Sequence, residues 1–230
     1  MKNFKNVFSL SWSNYLALIK RGYTFRELLI KFIQIYIISR IYSILFQPVR
    51  LRGKNVKVHY SAVIDGGNFI TLLDDCYIQR GAWLSVPLFE MPPPEDRPYL
   101  TIGPESRIGP NCTISAMSKI SIGKGVVFGP NVTLVDHYHE FQNIDMPISD
   151  QGITSKGTVT IEEQCWVGAN AVIYSSSDLI IGKHSVIAAN SLVRESVAPY
   201  TIVSGNPARP IKQYDFLLKK WVKIQCKRKR

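Results

Sequence analysis

Residues 102–134 read IGPESRIGPNCTISAMSKISIGKGVVFGPNVTL, and a bulky apolar residue returns within them at a step of six positions. The same step reappears after residue 160, which gives four sets of three positions. The sets begin 20 residues apart, except for 19 additional residues between the second and third sets. The repeated positions are Ile102, Ile108, Ile114, Ile122, Phe128, Leu134, Ile161, Val167, Ile173, Ile181, Ile187 and Val193. A fixed short period is typical of stacked structural repeats, each of which buries its apolar side only against its neighbours.

The six-residue step predicts which side chains face the interior. If a repeated position i points inward from a short strand, position i+4 also points inward and has to be small where two walls meet. Serine, cysteine, valine or alanine occupies that position in eleven of the twelve repeats, and Tyr138 is the exception. Glycine follows six of the repeated positions, where we expect it to permit a bend with positive φ. Three strands then form one coil of a triangular parallel β-solenoid, whereas an antiparallel β-sandwich would alternate with a period of two.

Weaker repeats continue the pattern upstream, so we expect an all-β solenoid domain over residues 58–211. These repeats are Val58, Ile64, Ile70, Ile78 and Leu84. Two loops interrupt the period, one at 86–99 with five prolines and one at 135–160. The first loop is either a rigid surface excursion or one side of an acceptor pocket.

Charge divides the chain into three parts, which are residues 1–57, the predicted solenoid at 58–211 and residues 212–230. The net charge is +11, and residues 1–57 carry eleven Lys or Arg against one acid. Residues 212–230 carry eight against one, while the body between them carries nine against fifteen acids. A nucleic-acid-binding protein would be expected to have basic residues on its folded body, so this distribution predicts no nucleic-acid partner.

Both basic ends are predicted to be helical. Residues 28–46 read LLIKFIQIYIISRIYSILF, an apolar run interrupted by polar residues and therefore too polar for a typical transmembrane helix. It fits an amphipathic helix in the membrane interface, or a helix that caps the solenoid or packs on a neighbouring subunit. No cleavage site of a signal peptide follows it. In residues 212–230, Leu217, Leu218, Trp221 and Ile224 have helical spacing and predict a short C-terminal helix.

Four cysteines, at positions 76, 112, 165 and 226, lack the CxxC spacing of metal and redox sites. Cys112 and Cys165 occupy inward repeat positions. Buried, reduced thiols are therefore expected, which favours a reducing compartment such as the cytoplasm.

The second loop holds a histidine cluster, DHYHE at residues 136–140. His137 and His139 would project to the same side of an extended segment, and neutral imidazole is the usual general base for a hydroxyl proton. The acidic neighbours Asp136 and Glu140, or a backbone carbonyl, could orient the ring. A metal site or plain surface histidines are the alternatives, although zinc would need a third protein ligand.

Together these motifs resemble the hexapeptide-repeat acyltransferases, and among them the sugar O-acetyltransferases. The resemblance covers residues 58–211 and depends on the ordered set of hexads, GPNVTL before the histidine loop, VTIEEQCWVGANAVI after it, IGKHSVIAANSLV, and the closing SGNPARPIK. It implies a left-handed parallel β-helix, a homotrimer with each active site between two protomers, and acetyl-CoA as the co-substrate.

The resemblance also implies roles for individual residues. His137 is similar to the family's general base, and His139 remains an alternative because the spacing before this histidine varies. Trp166 would line the site near the thioester. The expected contacts to the pantetheine arm are Gly168, Ala188, Ala189 and Asn190. Arg209 and Lys212 would meet the coenzyme A phosphates.

The sequence therefore predicts a cytoplasmic O-acetyltransferase that works beside the anionic inner face of the cell membrane and modifies a saccharide precursor of a surface polysaccharide. An N-acetyltransferase for an amino sugar or small amine is the first alternative. A γ-carbonic-anhydrase-like or non-catalytic solenoid is the second. The repeats ISAMSK and IYSSSD depart from the regular hexad, and the N-terminal region differs from that of the maltose and galactoside acetyltransferases.

Overall fold

A computed structural model describes residues 24, 26, 29, 30, 33–38, 41, 49–87, 97–174 and 177–224. The strands are β1 (Leu51–Arg52), β2 (Lys57–Val58), β3 (Val63–Asp65), β4 (Ile70–Leu72), β5 (Tyr77–Ile78), β6 (Trp83–Ser85), β7 (Leu100–Ile102), β8 (Arg107–Ile108), β9 (Thr113–Ser115), β10 (Ile120–Ile122), β11 (Val127–Phe128), β12 (Thr133–Val135), β13 (Tyr138–His139), β14 (Ile153–Thr154), β15 (Val159–Ile161), β16 (Trp166–Val167), β17 (Val172–Tyr174), β18 (Leu179–Ile181), β19 (Val186–Ile187), β20 (Leu192–Val193), β21 (Thr201–Ser204), β22 (Arg209–Asp215) and β23 (Lys220–Lys223). Helical elements in these ranges include a π-helix at Ile33–Ile38 and two single 3₁₀ turns, at Gly67–Phe69 and Ile148–Asp150. The described residues Arg26, Leu29, Ile30 and Ile41 are also helical.

Successive strands lie on three walls, each of which is a sheet. Wall A has the order β1-β4-β7-β10-β15-β18, and wall B has the order β2-β5-β8-β11-β16-β19-β21-β22-β23. Wall C has the order β20-β17-β12-β9-β6-β3. From β1 to β21 the pairs within each wall are parallel, as in Ile120↔Val159 and Ile120↔Leu100. The prediction of a triangular parallel solenoid is confirmed. Pairing begins at β1, upstream of residue 58, the predicted start of the domain.

The interior contains the residues that the six-residue step selects. All twelve repeated positions are buried, and so are most of the small residues four positions later. Buried serines are hydrogen-bonded: Ser106 Oγ donates to the Gly123 carbonyl at 2.7 Å and Ser185 Oγ donates to the Ala198 carbonyl at 2.8 Å. Ser118, Tyr138 and Ser177 are the small-residue positions that are not buried. All three positions follow wall C. The step from wall C to the next wall A is eight residues, as from Ile114 to Ile122, so the chain has two residues more than a hexad at this corner.

The predicted role of the repeat glycines is wrong. Gly103 and Gly168 do not have positive φ; such φ values occur instead at Asn111, Asn131, Asn170 and Asn190, which form one corner of the solenoid. These positions require glycine because the backbones of neighbouring coils approach each other closely there. A Cβ on Gly103 would lie 2.5 Å from the carbonyl carbon of Gly123, and one on Gly168 would lie 2.5 Å from the amide nitrogen of Ala189.

The corner asparagines are suited to the left-handed region, which few other residues tolerate. Their side chains also bond from coil to coil: Asn131 Nδ2 donates to Asn170 Oδ1 at 3.0 Å, and Asn170 Nδ2 donates to Asn190 Oδ1 at 3.1 Å. These bonds link successive coils along the corner that joins walls B and C.

The predicted C-terminal helix is also wrong, because β22 and β23 form an antiparallel hairpin there. β22 pairs with the exposed edge of β21, and β23 pairs with β22. Pairing with β22 covers the open backbone edge of β21, which a helix would leave unpaired, so sheet pairing outweighs the helical spacing of the leucines. Leu217 and Leu218 lie in the turn between the two strands. Residues 225–230 lie outside the described residues.

The predicted N-terminal helix is not confirmed. Residues 1–23 and most of residues 28–46 lie outside the described residues, as do residues 88–96 of the Pro-rich loop. Among the residues that are described, no helix is both long and apolar enough to cross a membrane.

The thiols of Cys76, Cys112 and Cys165 are free and buried, as predicted. Burial raises the pKa of the Cys76 thiol to about 12 and the pKa values of the Cys112 and Cys165 thiols to about 11. At neutral pH these thiols are therefore protonated and poor nucleophiles. Cys226 lies outside the described residues.

Candidate active site

The histidine loop leaves the solenoid at the end of β12 and returns before β15. Its base is a two-stranded antiparallel ladder, in which Tyr138 pairs with Thr154 and His139 pairs with Ile153. The segment between β13 and β14 projects outward, and residues 141–150 are all exposed. The rigid coils therefore fix the base of the loop, where both histidines lie.

Asp136 stands at the bend where the loop begins, and its side chain is fully buried. Its carboxylate accepts three backbone N–H bonds from the turn of the preceding coil, from Met117 at 2.8 Å and from Ser118 and Lys119 at 2.9 Å. This turn is part of ISAMSK, one of the irregular repeats. The irregularity has a physical reason, because the turn wraps its amides around a buried carboxylate that would otherwise be costly to desolvate.

His137 lies against this carboxylate. Its Nδ1 is 3.1 Å from Asp136 Oδ1, and its side chain is only 15% exposed. When Nδ1–H donates to Asp136, Nε2 keeps a lone pair that can accept a proton. His139, two residues further on, is exposed. The two histidines that the sequence left as alternatives therefore lie in different environments.

The sequence left three groups that could orient the ring, which were Asp136, Glu140 and a backbone carbonyl, and gave no basis for choosing among them. Adjacent residues on a continuous strand point to opposite faces. Here the strand ends at Val135 and the backbone bends at Asp136, which lets adjacent side chains meet. A signal for the bend was available in the sequence, because the third-wall repeat before it was already irregular.

An aromatic and basic group surrounds the base of the loop. The rings of Tyr138 and Tyr174 pack edge to face, with centroids 6.1 Å apart. Lys156 lies near Tyr138, and a hydrogen bond with the tyrosine side chain raises the pKa of the Lys156 ammonium. The base of the loop therefore carries aromatic surface and a positive charge, beginning at the residue that follows His137.

A second set of residues lies in one transverse row across wall B. Trp166 pairs with Val186, Val186 with Ile202, Ile202 with Lys212, and Lys212 with Lys223. Directly paired residues share a face of the sheet, and adjacent strands are about 4.8 Å apart, so the row extends about 19 Å. The row begins at the indole of Trp166, which is 55% exposed, and ends at the directly paired Lys212 and Lys223.

The row contains a residue that sequence reasoning missed, Lys223. The helical prediction for residues 212–230 separated it from Lys212, whereas the hairpin pairs them. Like charges directly opposite each other on a sheet are destabilising, so this pair favours an anion between or above the ammonium groups.

The remaining predicted contacts lie at the corner beside this row and at the end of the solenoid. Ala189 and Asn190 are exposed at the corner, Ala188 is half-buried, and Gly168 is buried by the packing of the next coil. Arg209 forms an ion pair with Glu195, with Nη1 3.2 Å from Oε2. Both residues line a cleft of about 550 Å³ at the end of the solenoid.

One chain does not bring all of these residues together. His137 leaves the corner between walls C and A, whereas Trp166 and Lys212 belong to wall B. Within the described ranges, no three His, Cys, Asp or Glu side chains are grouped as metal ligands would be.

Comparison with known proteins identifies related chains. Residues 158–195 match a family model described as the hexapeptide repeat of succinyl-transferase. WbbJ of Escherichia coli (strain K12), named as a candidate lipopolysaccharide biosynthesis O-acetyl transferase, is 32% identical over 48% of this chain and 58% of its own length. The galactoside O-acetyltransferase of Lactococcus lactis is 33% identical over 46% of this chain and 50% of its own length. The chain thus spans about half the length of the curated relatives it matches.

Among solved structures, the chain is similar to AntD, an N-acyltransferase from Bacillus cereus in complex with dTDP and 3-hydroxybutyryl-CoA. The TM-score is 0.62 at 20% identity, over 80% of this chain and 92% of that one. The likeness concerns the fold. The matched repeat, the parallel walls and this fold together support the left-handed β-helix that the sequence motifs imply, and the resemblance to the hexapeptide-repeat acyltransferases is confirmed.

Proposed function

We propose that this chain, a hexapeptide-repeat protein similar to the sugar O-acetyltransferases, transfers an acetyl group from acetyl-CoA to a sugar hydroxyl. The observation that carries the proposal is the contact between the half-buried ring of His137 and the buried carboxylate of Asp136. A fixed imidazole with a free nitrogen is the group that a hydroxyl acceptor requires, because the hydroxyl must lose its proton as it attacks a thioester.

In this mechanism His137 acts as the general base through Nε2. It takes the hydroxyl proton as the sugar oxygen forms a bond to the acetyl carbonyl carbon and the carbon–sulfur bond breaks. The same proton then passes from His137 to the leaving thiolate, so the protein returns to its starting state. Asp136 holds the ring and stabilises the imidazolium, as a carboxylate does in other histidine-based sites.

The acetyl group passes directly to the acceptor, with no acyl-enzyme. The sequence has no GxSxG nucleophile motif. The thiols of Cys76, Cys112 and Cys165 are buried within the solenoid, with the pKa raised to about 12 for Cys76 and to about 11 for the other two. A protonated thiol inside the core does not attack a thioester at neutral pH.

The row across wall B fits the donor. Trp166 would lie near the thioester, and Lys212 would meet phosphates, as the resemblance implies. We add Lys223, which opposes Lys212 in the next strand. Ala188, Ala189 and Asn190 would border the pantetheine arm, with Gly168 beneath them and Arg209 near the phosphate end. An elongated substrate with an anionic end matches a row of about 19 Å that ends in two lysines.

The proposal includes a homotrimer. His137 and Trp166 lie on different sides of the solenoid, on successive coils, so a site that uses both needs His137 from one protomer and Trp166 from its neighbour. The location proposed is the cytoplasm, with peripheral contact to an anionic membrane through the basic ends.

The acceptor proposed is a saccharide precursor of a surface polysaccharide. The names of WbbJ and of the galactoside O-acetyltransferase support a sugar hydroxyl as the acceptor. The aromatic rings and the lysine at the base of the loop provide the kinds of group that bind sugars and their phosphates.

A substrate assay tests the function directly. Purified protein is incubated with acetyl-CoA and matched acceptors, each pair comprising a hexoside and the corresponding amino sugar, and release of free thiol is followed together with the mass of the product. We expect an increase of one acetyl group on the hydroxyl acceptors. Exclusive acetylation of the amines would contradict the O-acetyltransferase assignment, and absence of acetyl-CoA binding by calorimetry would contradict acyl transfer itself.

A further inference from the structure

The C-terminal hairpin presents three consecutive apolar side chains to solvent at its tip. Phe216 is 62% exposed, Leu217 is 95% exposed and Leu218 is 58% exposed. The backbone of the turn does not require them, because Asp215 Oδ1 accepts the N–H groups of Leu217 at 2.9 Å and Leu218 at 2.8 Å. Polar residues would make the same turn at a lower cost in solvation, so these side chains indicate a contact outside the chain.

The tip is held rigidly. Four residue pairs join β22 to β23. The Phe216 ring packs edge-on against Tyr200, with centroids 4.8 Å apart, and Tyr214 packs against Trp221 at 5.5 Å. Tyr200 belongs to the last coil, so the aromatic cluster fixes the hairpin to the solenoid. The three apolar side chains therefore protrude from a fixed backbone. Binding of a partner there would not require the loss of conformational entropy that ordering a mobile segment does.

The charge around the tip selects the partner. Lys219 and Lys220 follow the apolar residues directly, and both are exposed. Residues 212–230 hold eight Lys or Arg, and their single acid, Asp215, is bonded to the turn amides. Apolar side chains flanked by lysines match the interface of an anionic bilayer, where the apolar groups reach the acyl boundary and the ammonium groups meet lipid phosphates.

We propose that the hairpin tip inserts into the surface of an anionic membrane. Phe216, Leu217 and Leu218 enter the interface and Lys219 and Lys220 remain at the headgroups. A tip-to-tip contact with a second copy of this chain is a poorer alternative, because it would bring two positive hairpins together. The inference assigns residues to the membrane contact proposed above and does not depend on the proposed acetyl transfer, since lipid binding and acetyl transfer to a water-soluble acceptor are separate measurements.

A fluorescent label tests the insertion. Leu217→Cys in a Cys226→Ser background is labelled with the polarity-sensitive dye NBD, while the buried thiols of Cys76, Cys112 and Cys165 remain unlabelled because they are inaccessible and protonated. Ile144→Cys is the matched control, because Ile144 is 94% exposed on the histidine loop. We expect the emission at position 217 to shift to the blue with phosphatidylglycerol vesicles and not with phosphatidylcholine vesicles, and the emission at position 144 to stay unchanged.

Partition of the full chain into the same vesicles gives the second measurement. Leu217→Ser should weaken partition about tenfold or more, as expected for one buried leucine, and Lys219→Asn should weaken it about fivefold. Asparagine suits position 219 because φ there is 48°. Ile144→Ser and Lys124→Gln are the controls at exposed sites elsewhere and should change partition little.

Two results would overturn the inference. One is equal partition of Leu217→Ser and the unaltered chain with no spectral shift at position 217, which would assign membrane contact to another part of the chain. The other is a Leu217→Ser variant whose molar mass in solution falls while its vesicle partition is unchanged, which would make the tip a contact between subunits. In the first case acetyl transfer to a soluble acceptor should be unaffected by Leu217→Ser. In the second case it should fall together with the molar mass, because the proposed active site is shared between subunits.

Discussion

Asp136 and His137 are adjacent in sequence, and their contact depends on a single bend in the backbone. The carboxylate is fully buried, accepts three backbone N–H bonds and lies 3.1 Å from Nδ1 of the ring. Each of these bonds fixes the carboxylate, and the carboxylate in turn fixes the ring. Residue types and spacing in the sequence were sufficient to select the histidine loop, and the irregular repeat before it indicated a departure from the hexad, but they did not place the bend at Asp136.

Replacement of Asp136 tests its role as a positioning residue. Asp136→Asn keeps the shape of the side chain but removes the charge, so we expect kcat to fall about 10²- to 10⁴-fold, as when asparagine replaces the aspartate that orients a general-base histidine. The KM for acetyl-CoA should change little, because the donor row lies on another wall. Glu140→Gln, at the other acidic neighbour of the histidines, is the control and should keep most of the activity. A kcat for Asp136→Asn equal to that of the unaltered chain would remove Asp136 from the mechanism.

At the scale of elements, the sequence predicts the coils well and their ends poorly. The six-residue step selects buried residues because the same short strand recurs, with the same inward position, on every wall. Gly103 and its equivalents were assigned to the correct position for the wrong reason, since a close approach between coils cannot be distinguished from a bend in a single repeat. Residues 212–224 were predicted as helix because their leucines have helical spacing, and the free edge of β21 was not visible in the sequence.

The contact between coils gives a stability prediction. Gly103→Ala places a Cβ 2.5 Å from the backbone of Gly123, and backbone atoms cannot move aside as a flexible side chain can. We expect the free energy of unfolding to fall by about 1–3 kcal/mol, as in other overpacked sites. Thr101→Ala, on the outer face of the same strand, should cost about 0.5 kcal/mol or less. Urea denaturation measures both, and equal stability of the two variants would show that the coils are not closely packed at this point.

At the scale of the whole molecule, the separation of His137 from Trp166 is the feature that matters most. His137 leaves the corner between walls C and A and Trp166 belongs to wall B, so the proposed site that uses both would be completed by a neighbouring copy. The sequence suggested a homotrimer through resemblance alone, because hexads fix which residues face outward and do not say which outward face meets another chain.

Subunit mixing tests the shared site. His137→Ala and Trp166→Ala are co-expressed in equal amounts, each being nearly inactive alone. If every site takes His137 from one protomer and Trp166 from the next, about one quarter of the sites in random trimers contain both intact residues. We therefore expect the mixture to recover about one quarter of the normal activity. Recovery would be absent if both residues served a site within one chain.

The central claim is that His137, and not His139, takes the proton of the acceptor hydroxyl. The measurement is the kcat of His137→Ala and His139→Ala with one sugar acceptor, together with acetyl-CoA binding by calorimetry. General-base removal typically costs about 10² to 10⁴ in rate, so His137→Ala should lose at least 10² in kcat and still bind acetyl-CoA. His139→Ala should keep most of its activity, because that side chain is exposed. An active His137→Ala, or a His139→Ala that loses as much activity, would contradict the account.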